Sequence, residues 1–170
     1  MKRKFLFFVI PVLAFTMCNR ISYEVEKPSY ELEMSKLKNY IMYHESQGRN
    51  IDTTKLGVLY WVMNEGNGLY PEIGDTLTII FDGFFTDGFC FETSKDINKE
   101  TGEWKFVFGE PQAIKGWVDG LKVIDKGAKV EVIIPSTLAF GNKGSGIIPP
   151  YTTLIYIIEM KDIKQKKDLK

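Results

Sequence analysis

The feature that most constrains this chain is an alternation of apolar and other residues between Leu56 and Asp162. A period of two residues is typical of β-strands that bury one face. Four segments follow this pattern: Leu77, Ile79 and Phe81; Trp104, Phe106 and Phe108; Val130, Val132 and Ile134; and Leu154, Tyr156, Ile158 and Met160. We therefore predict a mainly antiparallel sheet, with a hairpin turn at Asp87-Gly88.

One helical pattern interrupts the strands. Apolar residues at i, i+3, i+4 and i+7 share one helix face, and this spacing is found at Ile114, Trp117, Val118 and Leu121, just after Pro111. A single short helix cannot supply the crossover connections of a parallel sheet. The predicted fold class is therefore α+β, with a twisted antiparallel sheet curled around one short helix.

The N-terminus has the pattern of an export signal. Three basic residues precede a 13-residue apolar run, Phe5 to Met17, which is shorter than the ~20 residues that a membrane-spanning helix needs. Cys18 follows directly, and the arrangement resembles a bacterial lipoprotein leader. We expect residues 1–17 to be a signal peptide, Cys18 to be lipidated, and the protein to lie in the cell envelope, periplasmic or associated with the outer membrane. An uncleaved anchor and an ordinary signal-peptide cysteine are the alternatives.

Residues 18–55 are predicted to be a membrane-proximal spacer. Their apolar residues, among them Leu37 and Ile41, suggest an irregular amphipathic helix around residues 29–45, which ends before Gly48. Two interpretations fit this pattern. The helix either holds the following domain away from the membrane or pairs with a second copy of itself.

Composition excludes several kinds of site. His44 is the only histidine, and Cys18 and Cys90 are the only cysteines, so Ser-His and Cys-His catalytic pairs and most zinc sites are excluded. Basic and acidic residues balance at 22 each, which leaves no excess for strong binding to nucleic acid. No cofactor or metal is implied. We expect His44 to be a surface residue and residues 163–170 to be a solvated basic tail.

Aromatic residues are concentrated around the predicted helix. They are Phe81, Phe91, Trp104, Phe106, Trp117, Phe140 and Tyr156. An aromatic core explains them, and so does a binding pocket with apolar walls.

A series of short motifs runs through residues 56–162. They include Phe81-Asp82-Gly83, Phe91-Glu92-Thr93-Ser94, Phe106-Val107-Phe108-Gly109, Ile114-Lys115-Gly116-Trp117, Leu138-Ala139-Phe140-Gly141 and Gly146-Ile147-Ile148-Pro149-Pro150. In order and spacing they resemble the FKBP-type peptidyl-prolyl cis-trans isomerases, apart from a shortened loop at residues 141–146. The resemblance implies a five-stranded antiparallel sheet wrapped around a short helix.

The resemblance also implies a proline-binding pocket with Trp117 as its floor. The positions that match catalytic residues of the family are Phe91, Glu92, Trp117, Phe140 and Tyr156. The positions that match its substrate-binding walls and rim are Phe81, Trp104, Phe106, Ala113, Ile114 and Ile148.

Three of these positions depart from the family pattern. Phe81 and Phe140 stand where the family usually has Tyr, and Glu92 stands where it usually has Asp. Losing one hydroxyl that bonds a bound carbonyl costs ~0.5 to 1.5 kcal/mol, so two losses weaken a ligand ~10-fold or more. Glu92 is longer than Asp and is expected to reach a different donor. Tyr156 stands where the family tends to have Phe, and we hypothesise that its hydroxyl partly restores the missing one.

The chemistry of such a pocket needs no nucleophile. Rotation about an Xaa-Pro bond has a barrier of ~18 to 20 kcal/mol because amide resonance is broken, and a dry apolar site favours the twisted state. The implied function is prolyl isomerisation that assists the folding of exported or envelope proteins, with proline-containing polypeptides as clients and macrolides as inhibitors. A noncatalytic proline-binding chaperone module that uses the same pocket is the alternative.

Overall fold

The computed structural model describes residues 26–110 and 113–169. The predicted signal peptide and Cys18 lie outside these residues. The helices and strands in chain order are α1 (Tyr30–Ser46), β1 (Asp52–Thr53), β2 (Leu59–Asn64), β3 (Thr76–Phe84), β4 (Cys90–Thr93), β5 (Trp104–Val107), α2 (Lys115–Leu121), β6 (Lys129–Ile134) and β7 (Leu154–Lys164). Within these two ranges, no helix has the length and apolar character needed to cross a membrane.

The strands form one antiparallel sheet in the order β1-β2-β6-β7-β3-β4, and β5 also pairs with β3. The fold class is α+β, as predicted. The described residues form seven strands where we expected five. The difference arises because two residues of β1 add to the edge beside β2, and because the 3₁₀ helix Ser94–Asp96 lies between β4 and β5, which pair with different halves of β3.

The predicted alternation is clearest in β3. Its residues alternate between buried and half-buried along the whole strand, with Leu77, Ile79 and Phe81 on the buried side. The predicted hairpin turn is confirmed, since the Phe85 N–H bonds the Phe89 carbonyl at 2.9 Å and Gly88 has a φ of 88°. This face of the sheet and α2 enclose the main core.

Two glycines let α2 approach the sheet closely. A Cβ on Gly116 would lie 2.2 Å from Cγ2 of Ile134, and a Cβ on Gly120 would lie 2.6 Å from Cγ1 of Val132. Separations this short are not compatible with a side chain, so both positions require glycine. The close approach buries Trp117 and Leu121 of the predicted helix face against the sheet.

Helix α1 is confirmed close to its predicted bounds. The Ser29 side chain accepts a hydrogen bond from the Leu32 N–H at 3.2 Å, which satisfies one of the free donors at the start of the helix. After the helix, Gly48 adopts a φ of 76°, which glycine tolerates best.

Residues 30–46 of the predicted membrane-proximal spacer pack against the sheet. Leu37 of α1 is only 6% exposed, because it packs on Ile133 and Ile155 on the face of the sheet opposite α2. The sheet carries apolar residues on both faces at β6 and β7, so the second face also needs a cover. Helix α1 provides part of that cover and belongs to the folded domain.

The prediction that His44 is a surface residue is wrong. Its side chain is 4% exposed and stacks on Tyr40 at a centroid distance of 4.1 Å. Nη1 of Arg49 lies 2.6 Å from Nδ1 of His44, and Oε1 of Glu131 lies 3.4 Å from the same nitrogen. Burial lowers the pKa of His44; the Glu131 carboxylate opposes this shift and Arg49 reinforces it.

The C-terminal segment is less detached than the prediction of a solvated tail implies. Strand β7 continues to Lys164, and Ile163 is buried in the core. The Lys166 N–H then donates to Oδ1 of Asp75 at 2.9 Å. The lysine side chains of Lys164, Lys166 and Lys167 are exposed, but the backbone up to Lys166 is held to the domain.

Replacing Leu37 by Ala should lower the free energy of unfolding by ~2 kcal/mol or more, because a buried contact between α1 and the sheet is lost. The matched control is Met42→Ala on the same helix, where the side chain is 55% exposed; it should change stability by less than ~0.5 kcal/mol. Urea unfolding followed by circular dichroism measures both. Equal small effects would show that α1 is not docked.

Acidification should weaken the domain through His44. The unfolded chain titrates near the ordinary pKa of 6.5, whereas the folded protein holds the imidazole neutral to lower pH. The stabilisation is therefore present above about pH 6.5 and is lost as the pH falls below it. Since His44 is the only histidine, the fall in unfolding free energy between about pH 7.5 and 5.5 should be smaller in His44→Gln. A fall of equal size in both proteins would contradict this assignment.

Candidate functional site

The site is built around the indole of Trp117. This side chain projects from α2 and is 7% exposed. The ring of Tyr156 meets it edge-on at a centroid distance of 4.7 Å, and the ring of Phe81 does so at 5.3 Å. Edge-to-face contacts of this kind are favourable for aromatic rings and fix their orientation. The indole is therefore held rigidly by side chains from β3 and β7.

The sheet register brings the surrounding groups together. Gly83 of β3 lies opposite Tyr156 of β7 and Glu92 of β4. A Cβ on Gly83 would lie 2.9 Å from the ring of Phe91 and 3.0 Å from that of Tyr156. The absent side chain leaves the space in which these groups converge.

An open cavity of ≈350 Å³ reaches Trp117. Four predicted site residues line it, namely Trp104, Phe106, Ala113 and Trp117, together with Val107, Phe108, Gly109, Glu110 and Val118. Trp104 and Phe106 stack on one another at 4.2 Å and make one wall. The indole is therefore accessible at a hollow that is mostly apolar, although most of its surface is buried.

The other predicted residues do not line this cavity. Phe91, Ile114, Phe140 and Ile148 are half-buried and pack against the main core, to which Phe81 and Tyr156 belong. Glu92 is exposed at the edge of the sheet.

The Phe91 side of the site includes an aromatic residue that sequence reasoning did not assign. Phe91 stacks on Phe85 at 4.8 Å and meets Tyr156 edge-on at 5.8 Å. Phe85 lies just beyond β3, in the hairpin turn, so its role follows from the turn and not from the strand alternation.

Tyr156 is engaged by Glu92. Its hydroxyl donates a hydrogen bond to Oε1 of Glu92, so the longer acidic side chain does reach a donor. Burial, followed by the hydrogen bond and the negative charge of Glu92, raises the pKa of Tyr156. The phenol is therefore protonated at neutral pH, and a ligand carbonyl would have to displace Glu92 to accept its proton.

A second unassigned residue fixes the backbone of the site. Ser94 is fully buried, and its hydroxyl accepts a hydrogen bond from the Phe81 N–H at 3.0 Å. Next to it, the Thr93 hydroxyl donates to Oδ1 of Asp82 at 2.6 Å. The segments 81–83 and 91–94 are thus joined by side-chain hydrogen bonds as well as by the strand ladder. A fully buried serine needs a hydrogen-bond partner, which is why Ser94 marks this connection.

The loop between β6 and β7 carries Phe140 and Ile148. Its tip is closed by reciprocal hydrogen bonds of 2.8 and 2.9 Å between Ser145 and Ile148. A Cβ on Gly144 would lie 2.3 Å from the Ile148 carbonyl oxygen, and the glycine has a φ of 66°. The turn therefore requires glycine there and sets the position of Ile148.

In residues 26–110 and 113–169, no three His, Cys, Asp or Glu side chains come together in a way that could hold a metal ion. A larger cavity of ≈890 Å³ lies along α1 on the opposite face, and none of the predicted site residues lines it. The aromatic hollow at Trp117 is therefore the candidate site.

Comparison with known proteins places this arrangement in a family. The family model described as FKBP-type peptidyl-prolyl cis-trans isomerase matches residues 68–161. The FKBP-type peptidyl-prolyl cis-trans isomerase FkpA of Escherichia coli (strain K12) is 34% identical over 122 residues, which cover 68% of this chain and 41% of that protein. A probable FKBP-type peptidyl-prolyl cis-trans isomerase of Haemophilus influenzae is 31% identical over 124 residues, which cover 72% of this chain and 49% of that protein. The chain thus spans less than half the length of these relatives.

Solved structures agree with the sequence comparison. The crystal structure of FkpA from Escherichia coli matches with a TM-score of 0.64 and 30% identity, over 80% of this chain and 62% of that one. A peptidyl-prolyl cis-trans isomerase from Pseudomonas syringae matches with a TM-score of 0.66 and 23% identity, over 82% of this chain and 99% of that one, and supports the fold. From the family match, the relatives and the shared fold, we conclude that the chain belongs to the FKBP-type peptidyl-prolyl cis-trans isomerase family.

Proposed function

We propose that this protein is a peptidyl-prolyl cis-trans isomerase that assists the folding of exported or envelope proteins. The observation that carries the proposal is the accessible indole of Trp117 beside an aromatic-walled cavity of ≈350 Å³, in a domain of this family. A proline ring is a flat apolar group, and an indole floor with aromatic walls suits its shape and its lack of an N–H donor.

The proposed mechanism is stabilisation of a twisted imide. The planar Xaa-Pro bond owes its ~18 to 20 kcal/mol barrier to resonance that separates charge. In the twisted state the carbonyl loses that conjugation, so an apolar, water-poor site favours the twisted state over the planar one. No bond is made or broken, and the protein supplies orientation and a dry surface.

Most of the proposed site residues have a role in this scheme. Trp117 supports the proline ring, and Trp104 and Phe106 form the cavity wall on one side. The backbone N–H of Ile114, just before α2, is proposed to bond a substrate carbonyl.

On the other side, Phe91 and the Glu92–Tyr156 pair flank the path of the rotating carbonyl, since Phe91 contacts Tyr156 and Tyr156 contacts Trp117. Phe140 and Ile148 are proposed to close over the bound residue.

The location of the protein is part of the same proposal. The leader-like sequence of residues 1–17 and Cys18 directly after it support export and lipid anchoring at the cell envelope. Immunosuppressive macrolides are proposed as inhibitors of weakened affinity, because Phe81 and Phe140 lack the hydroxyl groups that the family usually has there.

Phe91→Ala should lower kcat/KM for a cis-enriched Xaa-Pro peptide about tenfold or more, since the loss of one aromatic wall removes at least ~1.4 kcal/mol of contact with the twisted state. The matched control is Tyr70→Ala, an exposed aromatic outside the cluster, which should leave the rate unchanged. The measurement is a protease-free isomerisation assay with wild type and both variants side by side.

The same assay distinguishes a second candidate function, a noncatalytic proline-binding chaperone module. The engagement of the Tyr156 hydroxyl by Glu92 favours this alternative, because it leaves the pocket without a free phenol donor at that point. Saturable peptide binding by the wild type, with isomerisation near the uncatalysed rate, would show that the protein binds proline segments without catalysis.

Tyr156→Phe tests whether its hydroxyl compensates for Phe81 and Phe140. We expect kcat/KM to fall by about 2- to 10-fold, the effect of losing one hydrogen bond worth ~0.5 to 1.5 kcal/mol. Tyr60→Phe on β2 is the matched control and should have no effect. Unchanged peptide affinity and turnover in Tyr156→Phe would refute the compensating role of this hydroxyl.

A further inference from the structure

The loop at residues 135–153 is a long connection beside the site. It joins β6 to β7 and carries Phe140 and Ile148, the two residues proposed to close over the bound proline. Outside Ser136–Leu138 and the short bridge at its tip, it has no regular secondary structure. The position of these two side chains therefore depends on what fixes the ends of the loop.

A single carboxylate from helix α1 contacts both ends. Glu33 is only 3% exposed. Its Oε1 accepts hydrogen bonds from the Ser136 N–H at 2.7 Å and from the Thr153 hydroxyl at 2.8 Å. The Ser136 hydroxyl donates to Oε2. Three donors from two chain segments that are 17 residues apart in sequence thus converge on one side chain.

Backbone hydrogen bonds complete a ring through the base of the loop. The Gly141 N–H donates to the Ser136 carbonyl at 2.8 Å, and the Tyr151 N–H donates to the Gly141 carbonyl at 2.8 Å. Tyr151 leads through Thr152 to Thr153, which returns to Glu33. Glu33 is therefore the side chain that closes this ring from outside the loop.

The base of the loop is also held in a demanding conformation. Tyr151 has a φ of 52°, and among the described residues it is the only non-glycine residue with a positive φ. This region is unfavourable for a residue with a Cβ, so the surrounding structure must enforce it. On the other side, the close contact of Gly116 with Leu138 ties the same base to α2 and hence to Trp117.

A carboxylate suits this position better than its isostere. All three groups that meet it are donors, and a carboxylate offers only acceptor sites. Glutamine has nearly the same shape, but its NH₂ group could bond the Ser136 oxygen only if that hydroxyl turned its own proton to another acceptor. Buried bonds to a charged acceptor are also stronger than neutral ones.

We propose that Glu33 is a positioning residue for the isomerase site, which acts from α1 by holding both ends of the 135–153 loop so that Phe140 and Ile148 keep their place at the pocket. The proposal rests on the proposed function of that pocket. In this proposal α1, which packs on the face of the sheet opposite the aromatic site, contributes to substrate affinity as well as to stability.

Glu33→Gln in the full chain tests this, with Tyr40→Phe as the matched control. Tyr40 also bonds α1 to the sheet, since its hydroxyl donates to Oε1 of Glu131 at 2.9 Å, but Glu131 lies within β6 and not in the loop. Both variants lose a polar contact of α1 that is part-buried or buried. Only Glu33→Gln disturbs the ends of the loop.

Two quantities are compared: KM for an Xaa-Pro peptide, determined together with kcat, and the rate of amide hydrogen exchange of residues 137–152. In Glu33→Gln we expect KM to rise about tenfold and exchange in the loop to speed up by about the same factor, with exchange in β3 unchanged. In Tyr40→Phe both quantities should stay within about twofold of the wild type. Thr153→Val, which removes one of the three donors and keeps the side-chain shape, should show a smaller change in the same direction and serves if Glu33→Gln does not fold.

Wild-type KM and loop exchange in Glu33→Gln would overturn the proposal and leave Glu33 as an anchor of the helix alone. The same holds if Tyr40→Phe changes both quantities as much as Glu33→Gln does. Failure of the proposed function looks different, because the wild type itself would then lack isomerase activity. Peptide affinity, measured by titration of the intrinsic tryptophan fluorescence, together with loop exchange, would still decide the role of Glu33.

Discussion

The close contact of α2 with the sheet is the constraint on which the rest of the structure depends. Gly116 and Gly120 let the helix lie against Val132 and Ile134, and this spacing places Trp117 within reach of rings from β3 and β7. A helix held farther away would leave the indole loose in a wider space. Because the aromatic rings then fix one another, a rigid apolar surface forms without any charged group at its centre.

In the proposed function, that surface would favour the twisted Xaa-Pro bond without a catalytic dyad. The reaction requires a dry site that favours lower charge separation, and an indole with aromatic walls meets this requirement. The polar groups are placed at its margin, where the Tyr156 hydroxyl and the Glu92 carboxylate satisfy each other. At Phe81 and Phe140 the chain has apolar rings where the family usually has a hydroxyl group.

The sequence predicted the sheet, α2 and the hairpin turn because these depend on local periodicity and turn chemistry. It did not predict the docking of α1, the burial of His44 or the bonds of Glu33, which join residues more than 80 positions apart. A signal for the second covered face was present, since Val132-Ile133-Ile134 and the run from Leu154 to Ile158 are apolar at every position. The aromatic residues of the site were identified by resemblance, but which of them line the cavity depends on side-chain packing that periodicity does not specify.

The two edges of the sheet are short or interrupted. One ends in the two residues of β1, and the other is divided between β4 and β5 by a helical turn. A long, flat edge would offer unpaired backbone groups to any extended chain that comes near. For a protein proposed to handle unfolded clients at its aromatic face, such edges matter, because a captured segment finds no long template on which to add itself as a further strand.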